Sequence, residues 1–400
     1  MVRLFLLPLM ALGLACASCS QSAPLLEQGN WNPRVHEALC VLLNDYGSSS
    51  DAYNPDCKPY AVFDFDNTTA INDIANTLLC WQIDNLVFKI RPEDWFATLT
   101  AGLPDLDADY GSGNTPRSLA ADIAADYAAL HGYGDLSDMH ASEAWLDFRA
   151  KLWYFYVNSD ISAPDSPLQC EWITRLQAGM TAAEITDFTR RAADEAMQEK
   201  VMWEEEWRSP DGKVFVNVVK GLAISPEIKN LYAALRRCGF DVYICSASLE
   251  TVVEALACEP RYGLDMDPEH VWGFHMSSDS EGRLVPVAEE GYVQPYRGGK
   301  VECIRRFIAQ VHGGNGPALV AGDSNGDFKM LTSFPDLKLG LIVDCLNDGD
   351  IGALTAEARR DSSEVCLKDR TTPLYVVQGR KPSALSFIPA DASEEVPLRP

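Results

Sequence analysis

The sequence predicts an α/β fold: an open, Rossmann-like parallel sheet with a large, mainly helical cap inserted into it. Three short apolar runs carry this reading, each ending in a residue able to do chemistry. They are Ala61–Phe63 before Asp64, Val242–Cys245 before Ser246, and Ala318–Ala321 before Gly322 and Asp323. Unbroken apolar runs of this length suit strands buried on both faces, as in parallel sheets. Spacing is the second observation. Residues 65–245 are far more chain than one strand–helix–strand crossover needs, so most of them must form a separate inserted unit. Composition is the third: 400 residues, 47% apolar and with 9 Trp, describe a well-buried globular chain.

Taken in order, residues 1–18 look like an export signal, with Arg3, an apolar run from Leu4 to Leu14, and small residues after it. The run is short for a bilayer crossing, so cleavage is expected, with no transmembrane span in the mature chain. Cys16 and Cys19 stand where a bacterial lipoprotein carries its lipid anchor, and Cys19-Ser20-Gln21 looks like a lipoprotein start. The usual Leu three residues earlier is missing for both, where Gly13 and Cys16 stand instead, and plain cleavage after Ala15-Cys16-Ala17 competes. The expected location is the periplasm or cell envelope, or else the medium. Export permits disulfides among the later cysteines, but spacing does not say which. No Cys-x-x-Cys pair follows the leader, so zinc is not indicated.

Residues 19–59 read as an extension, with helical periodicity at Val35, Leu39 and Leu42-Leu43 and a polar loop at 47–56. The core is expected at 60–75 and 215–388, the helical cap at 76–214, and a disordered tail at 389–400. Within the insert, Thr181-Ala-Ala-Glu184 is a capping box, and Ser142–Tyr156 reads as a helix rich in Trp145, Phe148, Leu152, Trp153 and Phe155. Ser225, Pro226 and Gly239 bracket a helix, with Ile228, Leu231 and Leu235 on one face, that feeds the strand ending at Ser246. A hairpin is expected around Asp279–Gly282, and apolar strands at Leu339–Val343 and Leu374–Val377.

The chemistry concentrates at the strand ends. Asp64 and Asp66 lie one residue apart, and two carboxylates so close are costly to hold without a cation. The pair points to a Mg²⁺ site in which one carboxylate attacks and the other handles protons. Lys300 follows Gly298-Gly299 and opens an apolar-periodic helix containing Val301, Ile304 and Phe307, while Asp323 and Asp327 surround a Gly-rich turn. A lone Asp-x-Asp-x-Thr is a common chance match. Four motifs in order, three of them ending a strand, are specific.

In that order these residues resemble the four motifs of the haloacid dehalogenase superfamily, over residues 60–75 and about 215–345. The resemblance implies that Asp64 takes a phosphoryl group as an aspartyl-phosphate and that Asp66 protonates the departing oxygen, then activates water. It implies that Ser246 and Lys300 bind the phosphoryl oxygens and that Thr68 supports the loop after the nucleophile. Asp64, Asp323 and the backbone carbonyl of Asp66 would hold Mg²⁺, with Asp327 orienting Lys300 or the metal's waters. Relatives that cleave carbon–halogen bonds or pump ions lack the second Asp, so Asp66 favours phosphate-ester hydrolysis, with phosphoryl transfer between substrates still open.

The stretch from Pro226 to Val253 looks like the phosphoserine phosphatase branch, and secreted phosphorylcholine phosphatases share the overall plan. Asp73 stands where that branch often carries an acid facing the substrate's amine. Trp203-Glu204-Glu205-Glu206-Trp207 would suit an ammonium through cation–π and ion pairing, or would simply be helix core. The further acidic pair expected for choline is replaced by Ala75 and Asn76.

A net charge of −25 disfavours nucleic acid and anionic membrane surfaces as partners, and the resemblance implies a small phosphomonoester as the expected one. Asp105, Asp107 and Asp109 resemble the opening of a calcium loop, but Tyr110 and Pro116 occupy the positions needing Gly and Glu. No Ser/His/Asp arrangement competes. The alternatives are a nonspecific acid phosphatase with the same machinery and a catalytically silent envelope protein that binds phosphorylated ligands. The second should have lost Asp64, Asp66, Lys300 or Asp323, and all four are present.

Overall fold

A computed structural model describes residues 25–162 and 167–399; the expected leader, with Arg3, Cys16 and Cys19, lies outside them. Asn32 caps α1 (Pro33–Tyr46) by accepting from the Arg34 amide, and the helix buries Val35, Ala38, Leu39, Leu42 and Leu43 in the main core. The stretch expected as an extension is therefore a layer of the core, because its apolar stripe has a sheet to cover.

The chain then enters β1 (Tyr60–Phe63), turns, and leaves through α2 (Ile74–Asn85). The cap runs through α3 (Trp95–Thr100), α4 (Pro116–Leu130), α5 (Leu136–His140), α6 (Glu143–Asn158), α7 (Leu168–Arg175) and α8 (Ala182–Ala196), followed by β2 (Trp203–Arg208) and β3 (Phe215–Lys220). The expected helices are present with their caps: Ser142 starts α6, and Thr181 and Glu184 form the capping box of α8. The chain re-enters the core through α9 (Pro226–Arg237), capped by Ser225, into β4 (Asp241–Leu249), α10 (Glu250–Ala257) and β5 (Val271–Phe274). The hairpin β6 (Met276–Ser278) and β7 (Leu284–Ala288) follows, then α11 (Gly298–Cys303), β8 (Leu319–Gly322), α12 (Phe328–Thr332), β9 (Leu339–Val343), α13 (Gly349–Arg360), β10 (Leu374–Lys381), β11 (Ser386–Ile388) and β12 (Leu398–Arg399).

Seven strands form the core sheet in the order β11-β10-β9-β8-β1-β4-β5, parallel throughout except for the edge pair β10–β11. The nucleotide-binding style of this architecture places ligands where strand order reverses, at the carboxyl ends of the strands. Here that point is β1, flanked by β4 on one side and β8 on the other.

The cap has its own core. Trp95, Tyr127, Phe148, Phe155 and Trp172 are buried in it, with the Phe155 and Trp172 rings stacked at 5.2 Å. Its composition departs from the expectation in two places. Trp203–Trp207 is strand β2, and β3 belongs with it, since Val214, Val216 and Val218 pack into the cap core. The cap therefore extends past residue 214 to the end of β3.

Residues 389–399 also depart from expectation, because they are placed rather than disordered. The Glu394 amide donates to the Arg380 carbonyl, and β12 pairs with β2 at Leu398–Glu204 and Arg399–Glu205. Polar composition concealed this, since the pairing is backbone to backbone. Among the described residues every cysteine is a free thiol, and no helix is long and apolar enough to cross a membrane.

Candidate active site

The site forms because β1 is pinned between two strands. The Asp64 amide donates to the Ala321 carbonyl (3.0 Å), carrying the β1–β8 pairing one residue beyond the strand. Asp64 and Asp323, each just past its strand, are thereby set side by side. Thr69 donates its hydroxyl to the Asp64 carbonyl (2.7 Å), and Asn67 takes a left-handed conformation (φ 58°) with its side-chain oxygen held by Arg380 (2.9 Å).

Lys300, 3% exposed, reaches the same point from α11 and places its ammonium 2.6 Å from both Asp64 Oδ1 and Asp327 Oδ1. Two glycines permit this. A Cβ on Gly299 would lie 2.0 Å from the Gln294 carbonyl oxygen, and one on Gly322 would lie 2.5 Å from Asp327 Cβ. The other oxygen of Asp327 accepts from the Asp323 and Ser324 amides and the Ser324 hydroxyl, each at 3.1 Å. Asp327 is thus tied down as the partner of Lys300.

One carboxylate oxygen from each of Asp64, Asp323 and Asp327 lies within 4.8 Å of the others. Burial, then the Asp327 charge, pushes the Asp64 carboxyl up to about 8, with Lys300 pulling the other way. Burial, followed by Asp327 and Asp64, also raises Asp323 well above the usual range. Burial alone would depress Lys300, but Asp327 and Asp64 outweigh it and raise it. One ammonium faces three buried carboxyls, and the upward shifts of Asp64 and Asp323 mark how costly it is to ionise them all without a further cation. The donors are all oxygen, which fits a hard divalent cation such as Mg²⁺.

Asp66 faces away from that cluster. Its Oδ1 accepts the Ile74 amide (2.7 Å) and its Oδ2 the Ser248 hydroxyl (2.6 Å), so its side chain is not among the clustered carboxylates. Burial, then Asp73, pushes it up to about 8, which favours the protonated acid near neutral pH. Asp73 caps α2 by accepting the Asn76 amide (2.8 Å), and burial, with Asp323 adding to it, pushes it to about 6.

A cavity of about 370 Å³ opens here between core and cap, and Asp64, Asp66, Asp73, Lys300 and Asp323 all line it. Three of the sequence-derived candidates do not. Asp327 sits behind Lys300, Thr68 is buried with its hydroxyl on Asp323 Oδ1 (3.2 Å), and Ser246 is wholly buried, its oxygen accepting the Ser248 amide (3.1 Å). The β4–β5 ladder shifts register between Cys245 and Leu249, and this turns Ala247 and Ser248, rather than Ser246, toward the cavity.

Sequence reasoning missed Ser248, Arg297 and Asn347, together with Tyr156 and Gln169 from the cap. Arg297 adjoins the Gly-Gly-Lys motif and could have been flagged, whereas the cap residues carry no local signature. Trp203 and Trp207 do not line the cavity: Trp207 is fully buried and Trp203 borders a different pocket.

The buried acidic cluster lies at the switch strand of a capped, Rossmann-like parallel sheet. Residues 144–332 match the model of the haloacid dehalogenase-like hydrolases. None of the curated proteins compared matches it. Among solved structures, a conserved, functionally unknown protein from Anaerococcus prevotii DSM 20548 is 29% identical, with a TM-score of 0.83 over 94% of this chain and 99% of its own. A phosphoserine phosphohydrolase-like protein from Francisella tularensis is 13% identical, with a TM-score of 0.31 over 71% of this chain and 87% of its own. A phosphoserine phosphatase with a phospho-aspartyl intermediate analogue is also 13% identical, with a TM-score of 0.33 over 72% and 87%. The first likeness extends to the cap; the other two are too slight to bear on chemistry.

Proposed function

We propose that the chain is an exported, Mg²⁺-dependent phosphatase that hydrolyses a small phosphomonoester through an aspartyl-phosphate on Asp64. The observation that carries this reading is the shared position of Asp64, whose carboxylate meets Lys300 and lies beside Asp323 while Asp66 stands in the same cavity.

In the first step an Asp64 carboxylate oxygen bonds to phosphorus, the bond to the leaving oxygen breaks, and the Asp66 proton moves onto that oxygen. In the second, water attacks phosphorus, Asp66 takes its proton, and the bond to Asp64 breaks. Lys300 neutralises charge that builds between carboxylate and phosphoryl oxygens. Asp64, Asp323 and the carbonyl of Asp66 would hold Mg²⁺, which, when bound, neutralises phosphate charge. The cap keeps bulk water from the cavity.

Asp73 on the cavity wall supports an amine-bearing substrate, such as phosphoserine, phosphocholine or phosphoethanolamine. The test is phosphate release from these and a sugar phosphate, with Mg²⁺ and with chelator, by wild type and Asp64→Asn. Turnover that needs Mg²⁺ and Asp64 is expected. Equal release by both proteins would refute the nucleophile, and turnover of the sugar phosphate alone would refute the amine preference.

A further inference from the structure

We propose that Ser248 is the positioning residue that aims Asp66 at the departing oxygen, an inference that rests on the phosphatase reading above. Asp66 is held by two different parts of the molecule. The Ile74 amide on Oδ1 belongs to the first turn of α2, where the chain enters the cap, and the Ser248 hydroxyl on Oδ2 belongs to the core. The Ile74 amide can only donate, so Oδ1 is engaged as an acceptor. A proton that Asp66 hands over must therefore ride on Oδ2, the oxygen within reach of Ser248.

Ser248 is itself fixed. It is 8% exposed, its amide is tied to Ser246 Oγ, and it lies in the register shift of β4 just before α10 begins at Glu250. Ser248 donates to one lone pair of Oδ2, which leaves the other side of that oxygen free to carry the proton toward the departing oxygen. The same contact thus holds the carboxyl before and after the proton leaves. In that step the electron pair of the P–O bond departs with the leaving oxygen, phosphorus bonds to Asp64, and the Oδ2 proton caps the leaving oxygen.

The consequence depends on the leaving group. An alkoxide is a poor leaving group and needs the proton; a nitrophenolate leaves almost without it. Ser248→Ala should therefore lower kcat/KM for an alkyl phosphate by about 30-fold, part of the roughly 10²–10⁴-fold that a general acid supplies. For 4-nitrophenyl phosphate the loss should stay within about 3-fold, and this also shows that the variant is folded. Adding Ser248→Ala to Asp66→Asn should cost the alkyl substrate nothing further, because the hydroxyl acts through a group already removed.

Equal losses on the two substrates, or additive losses in the double variant, would overturn the proposal. Wild type that releases phosphate from neither substrate would overturn the phosphatase reading itself, and this inference with it.

Discussion

Lys300 is the residue on which the site's electrostatics turn, because among the described residues it is the cation paired with both the Asp64 and the Asp327 carboxyl, all three buried. Replacing it by Met would leave the buried Asp327 carboxylate without its cation, beside an Asp64 carboxyl already pushed up to about 8, and breaking such a buried pair typically costs about 3–5 kcal/mol. Urea unfolding at neutral pH should show a loss of that order, and adding Asp327→Asn should recover part of it. A loss under about 1 kcal/mol would mean that the lysine is not paired with these carboxyls in the folded protein. Asp64, Asp66, Asp323 and Lys300 were legible because each follows an apolar run or a glycine pair that fixes where it must lie. Ser246 and Ser248 were not separable, since they flank the same alanine and only the register shift in β4 decides which one faces the cavity.

At the scale of elements, the helices with sequence-encoded caps were legible to within a residue or two, as at Ser142, Thr181 and Ser225. Strand β2 was not, because Trp-Glu-Glu-Glu-Trp lacks the alternation that marks a strand and takes its shape from β3. The β6–β7 hairpin offers a test of how elements are joined. His275, just before β6, lies 2.9 Å from Glu250 of α10 and 3.0 Å from Glu289 after β7. Burial alone would lower its pKa, but Glu250 and then Glu289 outweigh it and raise it.

A raised histidine contributes stability that is fully present below its ordinary value of about 6.5 and is lost as pH rises through the folded value. His275→Gln should thus be less stable than wild type at pH 6, with the gap closing by pH 9. Stability measured across that range would contradict the pairing if the gap widened instead.

At the scale of the molecule, the cap is joined to the core at several places. The linkers on either side of it meet at the Ile71–Ala223 bridge, α8 packs Ile185 and Ala192 into the main core, Thr181 bridges to Arg283 of the hairpin, and the terminal segment ends in β12. Arg399 lies over the Trp203 ring at 4.1 Å, and the Glu204 amide donates to the Pro397 carbonyl (2.9 Å). Removing residues 395–400 should speed amide hydrogen exchange at Glu204 while leaving β1 unchanged; unaltered exchange in β2 would contradict the attachment. The parallel core and the inserted cap were legible from three strands and one long gap. The terminal strap was not, because its partner lies far back in the sequence and contributes backbone rather than a side-chain pattern.

The most direct test of the account is to trap the intermediate. Wild type mixed with Mg²⁺ and a phosphomonoester, quenched in acid within one turnover and digested, should yield a peptide carrying one phosphoryl group on Asp64. None should appear in Asp64→Asn. Phosphate release with Asp64 never modified, or a phosphoryl group found on another residue, would contradict the claim that this carboxylate attacks phosphorus.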